Sequence, residues 1–318
     1  MVRTADLYPR IDLKDAPERH SPTYAQVDGQ RGILGNGFLE LRVDLRRTRE
    51  ENAEIVNKPA GESMRIAFSP FEVRFDSGTV DASDGAYGDL EAQQAPQSST
   101  LTAHIRCAGF RVDLSYVIQR GDHFVNKWLV FHDAEERADV RRVALFKQRV
   151  ASEYTVLRHD GGMYFPIVFV RAKRGSAFFC TDFPGAFAEI DGQSFRMEYY
   201  PGQELEPGRT FRTALAHIGI AALAGRTSSN PYHEGGARLD VGEQQWFREY
   251  LLRGNVVPEV PFVEVKAPGP NQAGPSELEV IRTCKSLEAK HVFLPRMQVN
   301  PDAFPLARSV RREAQEEG

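Results

Sequence analysis

The chain has 318 residues, 41% of them apolar, with 40 basic and 44 acidic side chains and a formal net charge of −4 at neutral pH. That length is enough to bury a sizeable core as one large domain or two ordinary ones. The near balance of charge gives no electrostatic basis for wrapping nucleic acid or coating an anionic membrane, so neither partner is expected and a neutral ligand fits better.

Residues 1–31 read as an N-terminal extension. Their opening, "MVRTADLYPRIDLKDAPERH", carries charge throughout and lacks the continuous apolar segment of a signal peptide or a membrane span, so a cytoplasmic location is expected. The three cysteines, Cys107, Cys180 and Cys284, are far apart and lack CxxC spacing. They are too few for a disulfide framework or a cysteine zinc site and read as core thiols.

Residues 32–225 are dominated by short runs rich in β-branched and aromatic residues, broken by Gly, Pro, Asp and Asn. Examples are "FLELRVDL", "FEVRFD", "STLTAHIRC", "FRVDLSYVI", "HFVNKWLVFHD", "PIVFVRAK", "SAFFCTD", "FRMEYY" and "TALAHIGIA". In "FRVDLSYVI" the residues Phe110, Val112, Leu114, Tyr116 and Ile118 share one face and Arg111, Asp113 and Ser115 the other, the pattern of a half-buried antiparallel strand. No convincing helix intervenes, which argues against parallel βαβ units and for a large two-sheet antiparallel sandwich. "YPGQELEPGRT", with two Pro-Gly pairs, reads as two tight reversals around a short edge strand.

The texture changes after Gly225. Residues 226–258 begin as a polar linker or ligand loop, "RTSSNPYHEGG", and continue into a short helix in "DVGEQQWFREYLLRGN", with Trp246, Tyr250 and Leu251 at helical spacing. Residues 259–318 read as strand, helix, strand, helix. "VPFVEVK" is a buried strand and "GPSELEVIRTCKSLEAK" a helix capped by Ser276 and Glu279; "HVFL" is the second strand and "LARSVRREAQEEG" a charged helix. That is how a (β/α) barrel starts, and two such units cannot close one.

No GxSxG, HExxH or Walker loop is found, no cofactor is expected, and the histidines lack metal-ligand spacing. "GILGNG" (32–37) precedes a strand and reads as a β-turn rather than a nucleotide loop. "HDAEER" (132–137) reads as a solvated turn, and His217 as a core histidine. "SDGAYGDLE" (83–91) sets Asp84 and Asp89 as hydrogen-bond acceptors beside Tyr87, the usual apparatus for a sugar, or forms an exposed hairpin. His233 and Glu234 of "NPYHEGG", with Trp246, make a second candidate for carbohydrate binding; Trp246 alternatively packs the helix on the sandwich. Trp128 reads as a structural aromatic of the sheet.

Taken in order, "SYVIQRGDHFVNKWLVFHD", "GGMYFPIVFV", "GSAFFCTDFPG", "YYPGQELEPG" and "FREYLLRGNVVPEVPFVEVKAPGPNQAG" resemble the N-terminal supersandwich, and its junction to the barrel, of glycoside hydrolase family 36-type proteins, the α-galactosidase and raffinose-synthase clan. The resemblance implies a galactose-mutarotase-like supersandwich followed by an incomplete β/α segment, and an oligosaccharide or galactoside ligand. In the family an acidic loop with Gly and Trp follows the second barrel strand, and two aspartates on later strands act as nucleophile and acid/base. Here "HVFL" runs directly into "PRMQ" and "VNPDAFP", so the sequence reads as a truncated barrel start without catalytic residues. The expectation is therefore a catalytically inactive, carbohydrate-related chain, possible as a homo-oligomer. The alternatives are a stand-alone carbohydrate-binding or assembly module and a mutarotase-like epimerase using a His and Glu pair on the concave sheet face.

Overall fold

The computed structural model describes Leu13 and residues 16–45, 51–107, 109–132, 137–159, 166–183, 185–225, 239–253, 263–264 and 292–293. The chain divides into two units, Met1–Arg253 and Gly254–Gly318.

The first unit opens with an antiparallel meander of β1 (Tyr24–Asp28), β2 (Arg31–Gly35), β3 (Leu39–Asp44), β4 (Glu51–Asn57) and β5 (Glu62–Ser69). A hairpin of β6 (Glu72–Phe75) and β7 (Thr79–Asp81) follows. A second meander is made by β8 (Ala86–Gln94), β9 (Ser98–Cys107), β10 (Phe110–Gln119) and β11 (Phe124–His132). Next come β12 (Ala138–Val150), β13 (Thr155–His159), β14 (Ile167–Arg171), β15 (Gly175–Thr181), β16 (Phe187–Asp191) and β17 (Ser194–Tyr199). β18 (Gln203–Leu205), β19 (Phe211–Arg212), β20 (Ala216–Ala222) and helix α1 (Val241–Arg253) complete the unit.

These strands make two antiparallel sheets, as the alternation predicts. The larger has the order β1-β2-β3-β4-β5-β12-β17-β16, with β18 and the β6–β7 hairpin attached through β12; the smaller has β13-β14-β15-β20-β11-β10-β9-β8, with β19 on β11. On β10 the residues Val112, Leu114, Tyr116 and Ile118 are buried, in the phase read from the sequence, and both sheets contribute to one apolar core. "GILGNG" carries β2 into its turn, where the Asn36 side chain accepts from the Phe38 N–H at 2.9 Å and donates to the Asp122 carbonyl at 2.7 Å. The sandwich starts at β1, inside the stretch read as an extension, because Ala25 is buried there and every β1 residue pairs with β2.

One inward position breaks the pattern. Lys127 of β11 is fully buried between the sheets, donating from Nζ to the carbonyls of Pro70 and Leu145, with the rings of Phe68 and Phe146 at 4.9 and 4.8 Å. The Leu145 carbonyl is available because β12 shifts register against β17 between Ala144 and Phe146.

α1 lies on the outer face of the smaller sheet. Its start is capped by Asp240, whose Oδ1 accepts from the Gly242 N–H at 2.7 Å while Glu243 accepts from the Asp240 N–H at 2.8 Å, a reciprocal arrangement that satisfies two helix-start donors. Phe247 and Tyr250 pack edge-on or tilted against Phe178 at 5.4 and 5.3 Å. Phe178 in turn lies over Gly219, where a Cβ would fall 1.9 Å from its ring, so only glycine admits this aromatic layer.

In the second unit, β21 (Val263–Glu264) and β22 (Val292–Phe293) pair in parallel, Val263 opposite Val292. These are the two strands read in "VPFVEVK" and "HVFL"; the helices expected between and after them lie outside the described residues.

Candidate functional site

α1 covers only one end of the smaller sheet's outer face. At the other end, β8 to β11 present a polar surface whose geometry follows from their registers. The loop joining β9 to β10 is two residues long and contains Gly109 in the left-handed region (φ 83°), which sets Cys107 opposite Phe110 and therefore His104 opposite Asp113.

Asp113 is the centre of this surface. His104 donates from Nδ1 to its Oδ1 at 2.8 Å, and His132 donates from Nε2 to its Oδ2 at 2.8 Å. The remaining nitrogen of His104 faces Glu91 Oε1 at 3.5 Å, so Glu91, His104, Asp113 and His132 form a ladder across four neighbouring strands. All four side chains are partly exposed. Burial alone would raise the Asp113 carboxyl; the hydrogen bonds from the two imidazoles, with their charge when protonated, outweigh it and hold the group below its ordinary value. Accepting at both oxygens, Asp113 fixes the tautomer of each neutral histidine.

The neighbouring row carries Thr102, Ser115 and Trp128 in direct register, with the two hydroxyls 3.4 Å apart. The Arg212 guanidinium lies over one face of the half-buried Trp128 ring, 4.8 Å from its centroid. From Glu91 to Trp128 the strip spans three strand spacings, roughly 14 Å. It combines an indole, two hydroxyls, two carboxylates and two imidazoles on a rigid sheet. Among the described residues no group of His, Cys, Asp or Glu has the geometry to hold a metal ion.

The residues singled out in the sequence fall around this surface rather than in it. Asp84 and Asp89 are exposed. Tyr87 packs against the core with its hydroxyl buried and without a hydrogen-bond partner among the described residues, because β8 bulges between Tyr87 and Leu90 and turns both inward; burial pushes its phenol well above the usual range. Glu91, the last residue of that same segment, is the one that reaches the ladder. Trp246 is buried in α1 against Phe38 and His123, with ring centroids at 5.9 and 5.2 Å, and its carbonyl accepts from His123 Nε2 at 2.9 Å. Since α1 packs on β20, four strands from β8 in the sheet, roughly 19 Å, the structure does not bring Trp246 together with Asp84 and Asp89. His233 and Glu234 lie outside the described residues. His217 is buried beneath Phe124 and Tyr250 and donates from Nδ1 to Asn126 Oδ1 at 2.9 Å. Burial pushes its imidazole down to about 4.

No protein-family model matches the sequence, and no curated protein does. Solved structures that resemble the chain include a family GH36 α-galactosidase from Geobacillus stearothermophilus, 11% identical, covering 62% of this chain and 41% of that one with a TM-score of 0.43. An α-mannosidase from Enterococcus faecalis is 7% identical over 63% of this chain and 30% of its own, with a TM-score of 0.43. An α-galactosidase from Lactobacillus brevis is 11% identical over 63% of this chain and 39% of its own, with a TM-score of 0.39. The chain thus spans less than half the length of each of these enzymes, and what they do as whole proteins does not pass to it.

Proposed function

We propose that this chain is a carbohydrate-binding β-sandwich that takes a neutral saccharide, with a galactoside the first candidate, on the open face of β8 to β11. The observation that carries this reading is the Asp113-centred ladder set beside Trp128: a saccharide needs oriented donors and acceptors for its hydroxyls and an apolar ring for its C–H face. Here the polar groups are fixed in advance on strands, which lowers the cost of ordering them on binding. The resemblance of the sequence to the sandwich of family 36-type glycoside hydrolases supports the same ligand class.

Binding is favoured over hydrolysis at this face. Retaining hydrolysis needs two carboxyl groups about 5 Å apart, one of them with an oxygen free to attack. Both oxygens of Asp113 already accept an imidazole N–H. A second reading, interconversion of sugar anomers, is favoured by one observation: Glu91 and His104 set a carboxylate and an imidazole side by side on the face, and both can move a proton.

Calorimetric titration of the purified chain with galactose, raffinose and methyl α-galactoside tests the first reading. Saturable binding that is lost in Trp128→Ala is the expected result, and absence of binding to every saccharide would overturn it. Polarimetry on freshly dissolved galactose tests the second, which requires enzyme-proportional loss of rotation that disappears in His104→Gln.

A further inference from the structure

The opposite face of the sandwich has a depression of its own. It lies on the outer face of the larger sheet, about 370 Å³ in volume, walled by Glu72, Arg74, Arg142 and Arg196 and rimmed by Ser77 of the β6–β7 turn and Thr79 at the start of β7. Three guanidinium groups converge there, and they are not equally satisfied. Arg196 is tied to Glu198 through Nε and to Glu72 through Nη2. Arg142 spends only its Nε, on the same Glu198 oxygen, which leaves its two Nη groups without a partner among the described residues. Arg74 is exposed and has no ion pair or hydrogen bond among them at all. Glu198 is buried at 1% exposure, so the carboxylate that orients Arg142 and Arg196 sits beneath the floor and the unused N–H donors remain above it.

We propose that this depression binds the carboxylate of a small hydroxylated acid, of the uronate type, between Arg74 and Arg142. Planar guanidinium groups with paired free N–H donors match a carboxylate in a fork geometry. The charge already present selects a monoanion: Glu72 also pairs with Lys147, and Asp76 lies on the same wall with its Oδ1 accepting from the Ser77 and Asp139 N–H groups, so a dianion meets two carboxylates at close quarters. The Ser77 and Thr79 hydroxyls and the Glu72 carboxylate suit the hydroxyl groups of such a ligand. A neutral sugar has less to hold it, because the aromatic residue of the wall, Phe75, is buried and stacked on Phe110 at 4.8 Å. The site is independent of the saccharide face on the other sheet.

The test is calorimetric titration of the full chain with galacturonate, galactose and inorganic phosphate, in wild type, Arg74→Gln and Arg142→Lys. Arg74 is exposed and pairs with none of the described residues, so its replacement leaves the fold intact. Saturable galacturonate binding that weakens about tenfold or more in each variant, with galactose binding unchanged by either, is the expected result. Galacturonate that fails to bind, or binds Arg74→Gln as well as wild type, overturns the proposal. Phosphate binding as tight as galacturonate overturns the assignment to a carboxylate. Loss of galactose binding in wild type would count against the saccharide face alone.

Discussion

His104 and His132 stand on strands two apart and reach Asp113 from opposite sides, each at 2.8 Å. The pairing makes one carboxylate on β10 the shared acceptor of imidazoles from the strands on either side, and it gives both rings a defined orientation.

Asp113→Asn removes one acceptor oxygen and the negative charge while keeping the shape. The expected cost is about 1 kcal/mol, below the usual range for a buried hydrogen bond to a charged group because the site is partly exposed. The carboxyl is held below its ordinary value, so its stabilising contribution is full above the unfolded carboxylate range near pH ~3.9 and is lost as pH falls through the lower folded value. Urea unfolding from pH 6 to pH 2 should show this acid loss in wild type and a shallower one in the variant.

His217 gives a second acid-side effect from the region under α1. Its imidazole is pushed down to about 4 by burial, whereas the unfolded chain takes up the proton near pH ~6.5. Between those values the unfolded state binds more protons, so stability is full above pH ~6.5 and falls by ~3 kcal/mol as pH drops towards 4. His217→Gln should flatten that part of the profile, read by the same unfolding series.

Lys127 acts on the alkaline side. Burial drives its ammonium well below the ordinary lysine value, so the unfolded state binds the extra proton up to pH ~10.4 and stability rises with pH across that window by up to ~1.4 kcal/mol per unit. Lys127→Met should lack the rise. The measurement belongs below pH ~10, since the buried Tyr116 and Tyr250 hydroxyls, raised by burial, take stability down above it.

Arg171 and Glu243 fasten α1 to β14 through two contacts, Nε to Oε1 at 3.0 Å and Nη2 to Oε2. Glu243 is fully buried. Arg171→Met strands its charge and should cost about 3–5 kcal/mol, whereas Arg171→Met with Glu243→Gln should recover much of that loss. Thermal unfolding of the three proteins checks both statements.

The fold was legible because most strands have one wet and one dry face, which writes period-two alternation into the sequence; β9 and β10 are the clearest cases. Lys127 was not legible as a buried residue, since nothing local tells a lysine that two carbonyls across the sandwich will receive it. β1 was missed because Val27 and its polar neighbours leave only Ala25 buried and give no alternation to read. The ladder escaped for a different reason. Glu91, His104, Asp113 and His132 each occupy an ordinary outward position, and only strand register unites them. One part of it was within reach: a two-residue "AG" loop in "IRCAGFRV" pairs Cys107 with Phe110, and counting outward from that pair sets His104 opposite Asp113. The β8 bulge, which turns Tyr87 inward and leaves Glu91 outward, has no comparably plain signal.

The most direct test of the saccharide face uses amide NMR of the isotopically labelled chain during titration with raffinose. Binding at the proposed surface predicts saturable shifts concentrated at Thr102, His104, Asp113, Ser115 and Trp128, with Trp246 and the Arg74 depression unmoved. Shifts confined to any other surface, or none at millimolar saccharide, would contradict it.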